Sequence, residues 1–204
     1  MIFIHSVKKS ISRIKKEYDN SIIIDVSSMA EMPFLMLSPF YPHGNIPVPF
    51  SDGYYSQTVE GVWQGLKVFK TSDIDLKKFE VTKMTGIKRP TRFFGFPLGH
   101  RRGINGELLD YYNARKLIYI PTYLWMLKNK ANSVMTDLQD KALKSDIILL
   151  DYTTNENVED LSKPLSHASL IKMILIENDK SLLTKRFSST NDNLNNGQME
   201  IVFS

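Results

Sequence analysis

The chain of 204 residues contains no cysteine. This absence excludes disulfide scaffolds, thiolate zinc sites and cysteine nucleophiles, and it fits a reducing compartment such as the cytoplasm. Histidine is scarce as well, and none of the four stands in a metal-ligand spacing with another. We therefore expect no metal site and no bound cofactor.

Long apolar runs are also missing. No stretch approaches the ~20 apolar residues that a membrane helix needs, and the first residues lack the plan of a secretory signal. We therefore expect no membrane partner and a cytoplasmic location. No Walker loop, GxGxxG or GxSxG motif occurs, so the common phosphate-loop and serine-hydrolase classes have no support.

Acidic residues are few in the first two thirds of the chain. Residues 1–130 carry 19 basic and 11 acidic side chains, a balance of +8, whereas residues 131–204 carry 7 and 11, a balance of −4. Eight Lys and Arg residues fall within 83–116, where only Glu107 and Asp110 oppose them. This excess favours an anionic partner, and the alternative is a merely solubilising surface.

The hydrophobic pattern predicts an α+β fold, with one mostly helical domain and a few short strands. Two β-branched runs predict buried strands at 21–26 and 146–152, and Met1–Ile4 is a further candidate strand. Helical spacing predicts helices at 7–19, 58–70, 74–84, 132–143 and 164–176. A further helix at 108–127 should be broken or restarted at Pro121.

The single domain (1–204) divides into three parts. Residues 1–32 form an N-terminal helix and strand, 33–176 form the core, and 177–204 form a polar C-terminal extension. Within the core, prolines and aromatic residues at 33–55 predict an ordered irregular loop. In the extension, 188–197 should be a loop and 199–203 a strand.

The segment at 58–70 carries the first candidate site. At about 100° per residue, a helix places Glu60, Trp63, Gln64 and Lys67 on one face. A carboxylate, an aromatic ring, an amide and an amine could converge there on one small ligand. The alternative is a solvated polar stripe with Trp63 in the core.

Two further segments carry polar candidates. His100, Arg101 and Arg102 stand between glycines and could hold a phosphate, although they could equally form an exposed basic loop. Asp151 ends an apolar strand, where functional side chains often lie in α/β arrangements. Asn155 and His167 follow it as candidate substrate-binding residues.

The order of these segments resembles the NADAR (YbiA-like) family. The resemblance rests on Ser38, Phe40, Tyr41 and Pro42, followed by Glu60, Trp63, Gln64 and Lys67. It covers 35–70 well and 108–170 loosely. The Asp-x-x-Trp-Gly and Gly-x-Asn-x-Leu-Gly elements of typical members are missing, which indicates a divergent branch.

The resemblance implies a hydrolase that cleaves N-glycosidic bonds to ribose. The implied substrate is ADP-ribosyl-guanine in DNA or RNA, or a related ribosyl phosphate. Lys67 would form a Schiff base with the ribose, while Glu60 and Asp151 would move protons. The implied substrate-binding residues are Tyr41, Trp63, Gln64, His100, Arg101, Arg102, Asn155 and His167.

Two alternatives remain open at this point. The missing family elements favour a protein that binds a nucleotide, ADP-ribose or nucleic acid in the same pocket without turnover. The basic segments at 8–16 and 88–102 instead suggest a nucleic-acid-binding or inhibitor protein of unrelated fold.

Overall fold

The computed structural model describes residues 1–178. The strands are β1 (Ile2–Ser6), β2 (Ile22–Asp25), β3 (Ile46–Pro47), β4 (Tyr55–Ser56), β5 (Lys67–Phe69), β6 (Pro97–Arg101), β7 (Leu108–Leu109) and β8 (Ile147–Asp151). The helices are α1 (Ile11–Glu17), α2 (Val59–Gly65), α3 (Thr91–Phe94), α4 (Tyr111–Ala114), α5 (Ile120–Asn129), α6 (Asn132–Lys144) and α7 (His167–Asn178). The predicted loop at 188–197 and strand at 199–203 lie outside the described residues.

A parallel sheet organises one half of the fold. Its order is β1-β8-β2, and all five residues of β8 are buried because the strand is covered on both faces. Ile148 and Leu150 pack with Ile14 of α1, whereas Ile147 and Leu149 join the main core with α6 and α7. The carboxyl ends of the three strands therefore meet at one edge, where Asp151 lies.

The second half of the fold contains an antiparallel sheet of order β5-β6-β7. Its strands pair Lys67 with His100, and His100 in turn with Leu109. Together with the helices, these small sheets make the α+β fold that the sequence predicts. None of the helices in residues 1–178 is long and apolar enough to cross a membrane.

The predicted helix at 58–70 is too long. α2 ends at Gly65, and Lys67 already belongs to β5. Gly65 gives the helix little intrinsic support. Val68 and Phe69 favour an extended chain that pairs with β6.

An α-helix restarts at Pro121, which is one of the two outcomes that the sequence predicts. A π-helical turn (Arg115–Tyr119) leads directly into α5, and Pro121 lies in the first turn of α5. A proline is tolerated there because a first-turn N–H has no partner within its own helix.

Other boundaries also shift. β1 runs through Ser6, so α1 begins at Ile11 with Ser10 as its cap. α7 begins at His167, which leaves Pro164 in the preceding loop. The helix predicted at 74–84 is a short 3-10 helix, Leu76–Glu80, and the basic stretch at 88–103 contains α3 and β6. A second 3-10 helix, Phe34–Leu37, lies in the irregular segment at 33–55.

Gly65→Ala should destabilise the protein, although alanine is the better helix former. A Cβ at position 65 would lie 2.3 Å from Cε1 of the buried Phe79 ring. Overpacking of this kind costs about 1–3 kcal/mol, whereas helix propensity alone predicts a gain of about 1 kcal/mol. Urea denaturation measures the free energy of unfolding. In the double variant Gly65→Ala/Phe79→Leu the loss should be smaller than the sum of the two single losses. A stabilised Gly65→Ala would contradict this packing.

Candidate active site

An open cavity of about 1170 Å³ lies between the two halves of the fold. Residues of α2, β5, the 84–91 segment, the π-helical turn and the carboxyl edge of the parallel sheet line it. Its lining includes a carboxylate pair, an amide, an amine, a guanidinium and an imidazole, namely Glu60, Asp151, Gln64, Lys67, Arg115 and His167. The cavity is large enough to take a nucleotide-sized ligand.

Glu60 lies in the first turn of α2, and neighbouring segments fix its position. Thr58 caps the helix by accepting a hydrogen bond from Gly61 N at 2.7 Å, and Glu60 N donates to the Pro39 carbonyl at 2.8 Å. The Glu60 side chain is buried, and burial raises the pKa of its carboxyl group. The Gln64 hydrogen bond and the charges of Lys67 and Lys88 oppose that rise.

Gln64 orients the Glu60 carboxyl group. Its Nε2 donates to Glu60 Oε1 at 2.8 Å, while its Oε1 accepts from Arg89 N at 3.0 Å. The backbone donor at Arg89 therefore fixes which end of the amide faces Glu60, since an N–H needs an acceptor. Gln64, which is hydrogen-bonded at both ends of its amide, thus holds the Glu60 carboxyl group in place at the cavity.

Lys67 opens β5 and reaches the same cavity. Burial lowers the pKa of its amine to about 8; Glu60 acts in the opposite direction, and the Arg89 and Lys88 charges add to the lowering. Its Nζ lies 6.0 Å from the centre of the Trp63 ring and makes no hydrogen bond or ion pair within residues 1–178. At pH 7 such an amine is roughly 9% neutral, against ~0.03% for an ordinary lysine. Lys67 is thus a usable nucleophile.

Trp63 forms one wall beside this amine. Its ring stacks on His100 with centroids 3.6 Å apart, and Tyr111 and Tyr119 contact it edge-on at 5.8 and 5.6 Å. The structure thus brings Glu60, Trp63 and Gln64 together with Lys67 at one cavity. The predicted common helix face is wrong for Lys67, because a turn after Gly65 and not helical rotation places it there.

A second buried acid lies at the sheet edge. Asp151 accepts a hydrogen bond from Ser166 Oγ at 2.6 Å and faces His167 Nδ1 at 3.1 Å. His167 Nε2 donates to the Val26 carbonyl at 2.7 Å. Both ring nitrogens thus face acceptors, which favours the imidazolium form.

The pKa of Asp151 is lowered and the pKa of His167 is raised. Burial acts to raise the pKa of Asp151, but His167, Ser166 and Tyr152 N together hold it below its usual value. Burial acts to lower the pKa of His167, and the Asp151 carboxylate and Val26 carbonyl more than offset it. Asp151 and His167 are therefore a buried ion pair beside the cavity.

Arg115 supplies buried positive charge without a carboxylate partner in the described chain. Its side chain is 2% exposed, and its guanidinium donates to the carbonyls of Val158, Asp160 and Lys163 at 2.7–2.9 Å. It lies in the π-helical turn, a feature frequent at functional sites. With Lys88 and Arg89, it gives the cavity wall a positive potential.

His100, Arg101 and Arg102, for which the sequence predicts phosphate contacts, do not line this cavity. Within β6, Arg101 pairs with Asp73 at 2.7 Å, and Arg102 just beyond it pairs with Glu107 at 3.1 Å, both outside the cavity. His100 is buried beneath Trp63, where burial and the Lys67 charge lower its pKa to about 2.

Two more predicted substrate-binding residues lie elsewhere. Tyr41 does not line the cavity, and its neighbour Phe40 does. Asn155 donates to the carbonyls of Asp160 and Lys163, so it shapes the loop that Arg115 also holds. Sequence reasoning missed Lys88, Arg89 and Arg115 as cavity residues; the only signal for Lys88 and Arg89 was their place in the basic stretch.

Comparison with known proteins identifies the family. The model of a "Family of unknown function (DUF6939)" matches residues 6–171. The chain belongs to this family. The match spans every cavity residue named above, from Glu60 to His167. No curated protein and no solved structure matches the chain. Within residues 1–178, no group of three or more His, Asp or Glu side chains is placed to hold a metal ion.

The amine of Lys67 should titrate near pH 8. Reductive ¹³C-methylation followed by NMR over pH 6–11 measures this pKa directly, and the Lys67→Met variant assigns the resonance. In Glu60→Gln the midpoint should fall further, because the carboxylate charge that stabilises the ammonium is removed. A midpoint above pH 10 would contradict the burial of this amine.

Asp151→Asn should remove a pH-dependent contribution to stability. The raised pKa of His167 adds stability that is fully present below pH 6.5 and is lost as pH rises through the folded-state pKa. The lowered pKa of Asp151 adds stability that is lost as pH falls below about 3.8. Breaking a buried pair costs about 3–5 kcal/mol.

Urea denaturation at pH 6 and pH 9 measures both effects. Wild type should lose stability at the higher pH, and Asp151→Asn should be weaker at pH 6 with a flatter profile. Ser166→Ala is the control, since it removes one hydrogen bond and leaves the ion pair. An Asp151→Asn profile parallel to wild type would contradict the pairing.

Proposed function

We propose that the protein is a hydrolase that cleaves the N-glycosyl bond between a ribose and a base in a phosphate-bearing substrate, through a Schiff base on Lys67. ADP-ribosyl-guanine in nucleic acid is the foremost substrate of this class. The observation that carries the proposal is the amine of Lys67, with its pKa near 8, in one cavity with the buried Glu60 carboxyl group. The family match is compatible with the proposal and assigns no activity.

In the first step, the neutral Lys67 amine attacks C1′ of the ribose. The C1′–N bond to the base breaks, and the base leaves with the bonding electron pair and a proton from Glu60. The resulting ribosyl-lysine loses a proton to Glu60. The bond between C1′ and the ring oxygen then opens as Glu60 donates a proton to that oxygen, which leaves the iminium form on Lys67 and a free hydroxyl group on the sugar.

Water completes the reaction at C1′. It adds to the iminium carbon and gives up a proton to the Glu60 carboxylate. The Lys67 amine then departs as the aldehyde forms, and the sugar hydroxyl group closes the ring on C1′ to give a free anomeric hydroxyl group. One water is consumed, and Lys67 and Glu60 return to their starting protonation states. No oxidant or cofactor is needed.

Burial supports this division of roles. The first step needs a neutral amine and a protonated carboxyl group at the same time. Burial raises the pKa of Glu60 and lowers the pKa of Lys67, so it favours the neutral form of both groups. The mutual attraction of the two charged forms acts in the opposite direction.

Asp151 has a different part in the proposal. Its pKa is lowered, so it stays a carboxylate and is a poor proton donor. A fixed negative charge at the cavity wall stabilises the positive charge that develops on the ribose and the iminium nitrogen. His167 holds this carboxylate in place through Nδ1.

The positive wall supports a phosphate-bearing substrate. Lys88, Arg89 and Arg115 line the cavity in place of the three residues at 100–102. Lys88 is exposed and can bind a phosphate oxygen through a charge-assisted hydrogen bond. Arg89 and Arg115 already donate to backbone carbonyls, so they contribute positive charge to the wall. Phosphorylated ribosyl compounds of this kind occur in the cytoplasm. The proposal therefore includes a cytoplasmic location for the protein.

Lys67→Arg should abolish turnover. Arginine stays protonated at every accessible pH, so the nucleophile is lost while the positive charge remains, and kcat should fall by at least ~1000-fold. Chromatographic release of ADP-ribose from an ADP-ribosyl-guanine oligonucleotide, and of base from a ribosylamine phosphate, measures the rate. Lys70→Arg is the matched control, because Lys70 is exposed three residues further along.

The outcomes separate the candidate functions. Full activity in Lys67→Arg would contradict the lysine mechanism. Wild type that binds the nucleotide tightly but releases no base at any pH would identify a binding protein that uses the same cavity.

A further inference from the structure

Two phenylalanine side chains beside the cavity are exposed to solvent. Phe93 is 70% exposed and Phe96 is 86% exposed, whereas Phe94 between them packs against Phe69 with ring centroids 5.2 Å apart. Inward packing of Phe94 holds the segment, so the outward rings are not required by the core. Large rings exposed side by side mark an interaction surface more often than isolated ones do.

Positive charge surrounds these rings. Residues 81–106 contain six Lys and Arg residues and no Asp or Glu. Arg101 and Arg102 have ion-pair partners, and Arg89 is buried between the rings of Phe69 and Phe94. Three cations remain without an ion pair in the described chain, namely Lys83, Lys88 and Arg92.

Arg92 adds a second feature of the surface. Its guanidinium lies 4.6 Å from the centre of the Phe93 ring, a stacked arrangement that joins a cation to a flat apolar face. Proteins that bind single-stranded nucleic acid combine such rings, which stack on bases, with cations that contact the phosphates.

The surface adjoins the cavity. Pro90 and Thr91 line it and begin α3, and Phe93 follows only two residues later, within about 7 Å along the chain. A strand stacked on Phe93 and Phe96 would therefore pass the entrance that leads to Lys67. Lys88 lines the cavity and also contributes to this surface, so it connects the two regions.

We propose that residues 88–98 form a binding surface for single-stranded nucleic acid, with Phe93 and Phe96 stacked on bases and Lys88 and Arg92 on phosphates. The inference rests on the proposed function in one respect: it makes a strand, and not a free nucleotide, the carrier of the ribosyl group. The affinity for an unmodified strand does not depend on turnover.

Fluorescence anisotropy with a labelled 20-nucleotide oligo(dT) tests the surface in the full chain. Wild type should bind, and log K should fall with log[salt] at a slope of about −1.4 for the two phosphate contacts of Lys88 and Arg92. Phe93→Leu/Phe96→Leu keeps apolar side chains but removes the rings, and it should lose at least ~20-fold in affinity. Phe93→Tyr/Phe96→Tyr should retain affinity.

Matched charge variants locate the contact. Arg92→Ala should weaken binding and make the salt slope shallower by about 0.7. Lys16→Ala removes the same charge from the exposed face of α1 and should leave the affinity unchanged. Lys67→Gln should bind the strand as wild type does, which keeps this test separate from catalysis.

Several results would overturn the proposal. These are no binding of the oligonucleotide, equal affinity in the leucine variant, or equal losses in Arg92→Ala and Lys16→Ala. Binding to anionic vesicles in place of the oligonucleotide would assign the surface to lipid. A wild type that binds the strand but cleaves no ribosyl bond would support the surface and contradict the proposed hydrolase.

Discussion

The turn between α2 and β5 is the constraint on which the candidate site depends. Gly65 lies against the Phe79 ring, where a Cβ has no room, and the chain leaves the helix one residue later. Because of this turn, Glu60 on the helix and Lys67 on the strand line the same cavity. Burial at this place then raises the pKa of the acid and lowers that of the amine. The turn after Gly65 therefore determines both the local packing and the burial that shifts the pKa values of Glu60 and Lys67.

The rest of the cavity follows from two other supports. The parallel sheet brings Asp151 to its carboxyl edge, where Ser166 and His167 hold the carboxylate. The π-helical turn brings Arg115 inward, and its guanidinium binds the carbonyls of the 158–163 loop. A fixed carboxylate and a positive wall therefore face the amine of Lys67 from separate elements, an arrangement suited to an anionic substrate that develops positive charge at its reacting carbon.

Much of the fold is local in origin and could be predicted from the sequence. Two strands and one helix can be identified without tertiary information, from the apolar runs at 21–26 and 146–152 and from the apolar stripe of α6. The cavity residues Glu60, Trp63, Gln64, Lys67, Asp151 and His167 were also predicted. The end of α2 was not, because it depends on the pairing of β5 with β6, which lies far along the chain. The ion pairs of Arg101 and Arg102 could not be predicted, because Asp73 and Glu107, their partners, become neighbours only through folding and the β6–β7 turn.

Peptide mass spectrometry after borohydride reduction tests the central claim most directly. The wild-type protein is incubated with an ADP-ribosylated oligonucleotide or a ribosylamine phosphate, reduced and digested. The account predicts a ribosyl adduct on the peptide that contains Lys67, and none in a sample reduced without substrate. Adducts spread over exposed lysines, or no adduct on Lys67 while base is released, would contradict it.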